Sequence, residues 1–174
     1  PGNVLMDYWI QQQRGDAFDR QGDWAASGSV QPALLDRLQG EPYFAEPPPK
    51  STGRELFNGP WLERHLQNES GADVQATLLE LTASSIRKAL DAFQPQQVLV
   101  CGGGAHNKAL MGRLQTLMPS VPVTTTDSAG MSADWVEAAA FAWLAWARVN
   151  QVPGNAVSVT GARASAVLGA LYLP

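Results

Sequence analysis

Three consecutive glycines, Gly102, Gly103 and Gly104, stand in "QVLVCGGGAHNKALMGRL" (residues 97–114), between an apolar run and a helix-like segment opened by Asn107. Consecutive glycines lose more conformational entropy on folding than any other residues, so bare backbone must be needed there. Such backbone can lie against phosphates, lie against a nucleoside, or form a tight turn. A phosphate loop of the G-x-x-x-x-G-K-[ST] type is excluded. No Gly-Lys-Ser/Thr occurs in the chain, and "PKST" at 49–52 has the Lys-Ser pair without the glycines. A dinucleotide fingerprint is matched in part, as G-x-G-x-x-N, with Asp127 after "VPVTTT" about where a ribose-binding acid would lie. No second mononucleotide half follows it. The third reading is a bare surface for a nucleoside, with Asn107 capping the next helix or touching the ligand. A strand-to-helix turn without ligand is the fourth.

Other residues could add chemistry. Glu137 is a lone carboxylate in "DWVEAAAFAWLAW"; it serves a site, or it occupies a first helical turn that favours negative charge. Lys50, Thr52 and Arg54 fall in "KSTGRE", which suits a nucleotide's surroundings or, through Ser51 or Thr52 with Glu55, a helix-capping box. Asp127 reads as a turn former, His106 as a loop residue and His65 as a solvated helix position. Neither histidine has a ligand partner at metal-binding spacing, so the spacing names no metal ligand.

The elements that must position these residues follow from periodicity and punctuation. Helices are expected after Asn3 ("VLMDYWIQQQ", face Val4, Leu5, Tyr8, Trp9), over "VQPALLDRLQG", over "GPWLERHLQ", and from Asp73 to Phe93. In the last, Asp73 is the cap and Val74, Leu78, Leu81, Ser85 and Leu90 trace a stripe. "RGDAFDRQGDWAASG" reads mostly as loop, and the prolines at 47–49 as a stiff connector. Strand "VLVC", helix "NKALMGRLQTLM" and strand "VPVTTT" make a βαβ unit, hence a parallel pair and an α/β architecture. "SADWVEAAAFAWLAWARVN" is a helix expected to be buried on most sides, with Trp135, Trp143 and Trp146 as core residues. "LGALYL" is a third strand. Three strands make an incomplete sheet, with further strands expected upstream.

Bulk properties narrow the class. The chain has 174 residues, 45% hydrophobic and 16% charged, too apolar for disorder and enough for one domain or one lobe. A net charge of -4 without a Lys/Arg run argues against nucleic acid. The single Cys101 removes an internal disulfide framework and suits a reducing cytoplasm. No apolar run is long enough to span a membrane.

Several segments together, in order, resemble one family. "PGNVLMD", "FDRQGDWAASG", "PPPKSTGRELFN", "VLVCGGGAHNKALMGRL", "TTTDSAGMSADWVEAAAFAWLAW" and "PGNAVSVTGA" are similar to the C-terminal part of anhydro-N-acetylmuramic acid kinases. The resemblance implies residues 1–174 as a single region, the helix-rich C-terminal lobe of a two-lobed, ribonuclease-H-like, actin-type ATPase fold, with the N-terminal lobe absent. It implies ATP with Mg²⁺ as cosubstrate, a small sugar substrate, a cytoplasmic location in bacteria, and a homodimer as one assembly. The implied reaction opens the 1,6-anhydro ring with water and phosphorylates O6, in cell-wall recycling. It places Gly102, Gly103, Gly104 and Asn107 against the nucleoside, Gly2 and Asn3 near the phosphates, and Glu137 at the sugar. The family's general base is an Asp expected just before Pro1, so this chain alone is expected to be inactive.

Overall fold

The computed structural model describes residues 1–172. Its centre is a single long helix, α5 (Gly71–Leu90). The cap is Ser70 rather than the expected Asp73. Ser70 has extended backbone geometry, and its hydroxyl accepts the Asp73 N–H at 3.2 Å. The Asp73 carboxylate instead accepts from Ser29 N–H (2.8 Å) and Gln31 Nε2 (3.0 Å), and so ties the preceding loop to the helix. α5 is not striped as expected. Every residue from Val74 to Ala83 is buried, including Gln75, Thr77, Glu80 and Thr82. Four other helices surround it, so all faces are covered.

Those helices are α1 (Val4–Arg14), α2 (Asp23–Ser27), α3 (Pro32–Gln39) and α6 (Lys108–Leu117). α1 buries Leu5, Met6 and Ile10, while Val4, Tyr8 and Trp9 are only half-buried, so its inner face is rotated from the expected one. It stops at Gly15, whose φ of 77° is the left-handed conformation that glycine tolerates best. α2 lies inside a segment expected to be loop. A short α4 (Gly59–Glu63) starts where the Asn58 side chain accepts the Trp61 N–H at 2.9 Å, and buries Trp61 and Leu62. The core runs from Leu5 and Met6 through Leu34, Leu38, Phe57 and Trp61 to Leu78, Leu81, Leu110 and Leu114.

The βαβ unit forms as expected. β1 (Val98–Val100) and β2 (Val123–Thr125) pair in parallel, Val98 opposite Val123, with α6 between them in sequence. The protein is thus α/β and helix-rich, with a two-stranded sheet among the described residues. The expected strand "LGALYL" does not form over 168–172, and Leu173 lies outside the described residues.

Helix α7 (Val136–Val149) departs most from expectation. Only Ala147 is buried among its residues. Phe141, Trp143, Trp146 and Val149 are 64%, 49%, 54% and 66% exposed, and Trp135 just before it is 67% exposed. An apolar composition states that a helix needs cover, not that the cover lies within the same 172 residues. The last helix, α8 (Val157–Thr160), ends at Gly161, which packs against Pro49, so "SVTGA" meets "PPPKST" in space.

Buried polar groups of α5 hold its neighbours. Arg113 of α6 grips Glu80 through two hydrogen bonds, Nε to Oε2 at 2.5 Å and Nη2 to Oε1 at 2.9 Å. Glu80 is buried, and Arg113 is raised in pKa by that bond. Glu80→Ala should therefore cost about 1.5–3 kcal/mol, the range for hydrogen bonds to charged groups. Urea unfolding should show a lower midpoint at an unchanged slope; an unchanged midpoint would show that the pair contributes nothing.

Candidate functional site

Asn107 organises one end of a cleft. It is 6% exposed, and its Oδ1 accepts the Leu110 N–H at 3.0 Å, which starts α6. Of the two roles expected for it, capping is therefore real, and its side chain also lines the cleft. Before it, Gly102 adopts φ 72°, a conformation that L side chains rarely take, and donates its N–H to Ala133 O at 2.8 Å. Gly103–His106 form a 3₁₀ turn. A Cβ on Gly103 would come no closer than 3.6 Å to any neighbour, the Asn3 amide nitrogen. A side chain at Gly103 would thus touch the Asn3 amide at ordinary contact distance and reach into the cleft without a clash.

The opposite wall comes from the start of α1 and the loop after it. Asn3, Met6 and Asp7 line it together with Phe18, Asp19 and Arg20. The cavity measures about 580 Å³. Asn3 does not cap α1, for its side chain makes no capping bond. Its Oδ1 is buried without a hydrogen-bond partner among the described residues. Buried amide oxygens are normally paired, so this one is left for something else. Asp19 holds the loop. Its carboxylate accepts from Trp24 N–H (3.0 Å), Ala25 N–H (2.9 Å) and Gln75 Nε2 (3.2 Å). The loop's tip then touches α6. Gly22 sits at φ 78°, and a Cβ there would fall 2.2 Å from Asn107 Oδ1.

Asn3, Gly103 and Asn107, from two motifs about one hundred positions apart, therefore meet at one cavity. Gly102 and Gly104 flank it in the same turn. Gly2 does not line it; its φ is 64° and its carbonyl accepts from Thr82 Oγ1 at 3.0 Å, which anchors the segment to α5. Lys50, Thr52 and Arg54 lie elsewhere, in a second cavity of about 770 Å³ that also contains Pro1 and Val4. The expected capping box around Ser51 and Thr52 is absent. Glu55 turns back to accept the Gly53 N–H at 2.6 Å, and the helix begins only after Asn58. Glu137 is exposed in the first turn of α7 and lines neither cavity. His106 lines the cleft and bonds Asp134 at 2.7 Å, which raises its pKa; Asp127 is lowered, first by a hydrogen bond from Thr125. His65 is half-buried rather than solvated, with its ring tilted at 45° against the Trp61 ring and Nδ1 2.8 Å from Trp61 O.

A family profile described as "Anhydro-N-acetylmuramic acid kinase" matches residues 1–174. The chain belongs to the anhydro-N-acetylmuramic acid kinase family. Proteins of that name from Pseudomonas fluorescens (strain Pf0-1) and Pasteurella multocida (strain Pm70) are 54% and 52% identical to it, over 99% of this chain in each case. A third, from Pseudomonas syringae pv. tomato, is 53% identical. The alignments take in 49%, 47% and 49% of those proteins, so the chain spans about half the length of the curated relatives it matches. Membership of this family removes the dinucleotide fingerprint from the readings of the glycine loop.

Several residues of this cleft escaped the sequence, and Asp7 is the one with most to offer. Asp7 follows Asn3 by one turn of α1, and its N–H donates to Asn3 O at 2.8 Å. Locally it is an acid in a first turn, where the helix dipole welcomes it. In space its carboxylate faces the cleft and accepts no hydrogen bond from the described residues. Its pKa is raised, by burial first and by Asp19 second, with Arg54 pulling the other way. A group with a raised folded-state pKa stabilises the fold below its unfolded pKa and loses that contribution as pH rises through the folded one. Asp7→Asn should therefore raise the thermal midpoint at pH 7, with the gain vanishing as pH falls through the raised pKa and wild type becomes neutral as well. Thermal scans across that range check it; a variant less stable than wild type at pH 7 would contradict the burial account.

Proposed function

We propose that this chain is the C-terminal half of a kinase that uses ATP to convert 1,6-anhydro-N-acetylmuramic acid into N-acetylmuramic acid 6-phosphate, in cytoplasmic cell-wall recycling. The observation that carries this reading is the convergence of Asn3 with Gly103 and Asn107 on one cleft. A nucleoside lying on the bare backbone of Gly102–Gly104 would meet Asn107 at one end, and its phosphates would run toward Asn3 and Gly2. The unpartnered Asn3 amide oxygen and the open face of Gly103 are what such a ligand would use. In the reaction, water adds to the anomeric carbon and gives its proton to a general base. The bond from that carbon to O6 breaks, and O6 takes the terminal phosphoryl group of ATP as ADP leaves. The base belongs to the part of the protein upstream of Pro1, so catalysis needs the whole protein. Glu137 is assigned to the sugar side, reached once the two halves are together.

Mg²⁺ is expected with ATP because it neutralises the charge that develops on the transferring group. It binds proteins through one or two carboxylates plus phosphates and keeps several waters. Asp7 fits that need, being a carboxylate in the cleft without a partner, whereas Asp19 is consumed by three hydrogen bonds. The lobe is read as ribonuclease-H-like, with β1 and β2 as part of a larger parallel-containing sheet. The uncovered apolar face of α7 is read as the docking surface for the remaining half of the protein; a homodimer contact is the second assignment for it. Among the described residues no helix is long and apolar enough to cross a membrane.

Two measurements on the full-length protein test this. ATP with the anhydro sugar should give ADP and the 6-phosphate in equal amounts; ATP-independent turnover or no turnover would end the kinase reading. Gly103→Val should change the thermal midpoint little, because its Cβ meets only the Asn3 amide, at an ordinary contact distance of 3.6 Å, and should weaken ATP binding by about tenfold or more, roughly 1.4 kcal/mol. Unchanged ATP affinity by calorimetry would place the nucleoside away from Gly103.

A further inference from the structure

A strap of residues 131–135 leads into α7 and is bonded on its way to the ends of both strands. Met131 N–H donates to Thr126 O at 3.1 Å, which holds the strap to the turn after β2. Ala133 O accepts the Gly102 N–H at 2.8 Å, which holds it to the first glycine after β1. Asp134 Oδ1 accepts from His106 Nε2 at 2.7 Å, which holds it to the last residue of the 3₁₀ turn. The strap thus bridges the C-terminal ends of two parallel strands, where open α/β sheets place their ligands. It also grips the glycine turn at both of its ends.

The two bonds to the glycine turn differ in kind. Ala133 is 4% exposed, so its bond to Gly102 belongs to the packed interior. The His106 and Asp134 side chains are 63% and 61% exposed. An ion pair so exposed adds little to stability, and the fold does not need it. What it sets is position, because His106 lines the nucleotide cleft and holds the strap at the same time. Glu137 comes three residues after Asp134, in the first turn of α7, and lines neither cavity. Between them Trp135 N–H closes on Ser132 O at 3.0 Å, so the strap passes into α7 as a formed turn. A ligand seated on the glycine turn therefore meets residues tied to the start of α7.

We propose that this strap couples the nucleotide cleft to Glu137, with Asp134 as the positioning residue that sets Glu137 for the sugar once the nucleotide is bound. The inference rests on the kinase reading for the identity of the two ligands and on the assignment of Glu137 to the sugar side. Asp134 touches neither ligand. It acts through His106 on one side and through the strap backbone on the other. Such coupling is reciprocal, so each ligand tightens the binding of the other by the same factor.

The test uses the full-length protein, with calorimetry of 1,6-anhydro-N-acetylmuramic acid binding with and without a saturating non-hydrolysable ATP analogue. The analogue should tighten sugar binding to wild type by about fivefold or more. Asp134→Ala should bind each ligand alone much as wild type does and lose the tightening. Asp134→Asn, which keeps an acceptor oxygen for His106, should retain part of it. Glu137→Gln should lose the tightening as well, and the double variant should lose no more of it than either single one. Sugar affinity indifferent to the analogue in wild type would overturn the proposal, as would full tightening in Asp134→Ala. Weaker binding of each ligand alone in Asp134→Ala would show a merely structural role and overturn it too. Losses that add in the double variant would separate Asp134 from Glu137 and overturn it. Phosphorylation by wild type is measured in parallel: its absence ends the kinase reading, whereas phosphorylation with the tightening intact in Asp134→Ala overturns this proposal alone.

Discussion

The buried polar row on α5 is the constraint from which the cleft is hung. Gln75, Thr77, Glu80 and Thr82 are each at most 8% exposed, in a buried stretch, Val74–Ala83, otherwise made of leucine, alanine and valine. Burying such groups costs free energy unless they find partners, and each residue bonds a different element, although Gln75 Oε1 has no partner among the described residues. Gln75 reaches Asp19 and fixes the loop that ends at Gly22. Thr82 takes the carbonyl of Gly2 and fixes the start of α1. Glu80 takes Arg113 and fixes α6, whose first residue follows Asn107. Thr77 accepts the Gln31 N–H and fixes the entry to α3. Hydrophobic burial alone would let these elements slide; one directional bond apiece gives them a register. The cleft's two walls are therefore set by the same helix, though neither wall contains it.

The second constraint is the close approach of Gly22 to Asn107. It needs a residue without a side chain at a left-handed position, and it brings the loop tip onto the amide that caps α6. Asn107 thereby has two structural duties and still lines the cavity. A residue so occupied is a rigid part of a binding wall, which suits recognition of a planar ligand edge better than a mobile surface chain would. Gly103, by contrast, has only the Asn3 amide beside it, and among the described residues neither the Arg54 nor the Asp7 side chain has a hydrogen-bond or ion-pair partner. Rigid where it is packed and unsatisfied where it faces the cavities, the molecule has the pattern of a site prepared for ligands.

Much of this was legible in the sequence. The βαβ unit came from a short apolar run, glycine punctuation and a second β-branched run, signals that depend only on local order. Asn107 as a cap and the family itself were also legible, the latter because six motifs occur in sequence. What was hidden depends on distant neighbours. Asp7 drew no reading from the sequence, since nothing local says that Asp19 and Arg54 approach it. α5 looked striped because Gln75, Thr77, Glu80 and Thr82 read as polar, and only their partners make them core. The capping box at Ser51–Glu55 failed because Glu55 found the nearer Gly53 N–H. α7 looked like core, and its exposed tryptophans report a need for cover that composition cannot locate. Lys50, Thr52 and Arg54 read equally as a nucleotide's surroundings or as part of a capping box, and the fold lines them along a different cavity from Gly103 and Asn107, a distinction that only the course of α1 between them makes.

The central claim is that the bare backbone at Gly102–Gly104 and the first turn of α1 form one nucleotide site. Hydrogen–deuterium exchange of the full-length protein, with and without a non-hydrolysable ATP analogue, tests it most directly. Protection should rise together in the peptides carrying residues 102–107 and residues 2–7, with little change at Lys50–Arg54. Protection confined to Lys50–Arg54, or none at 102–107 with the analogue saturating, would contradict the account.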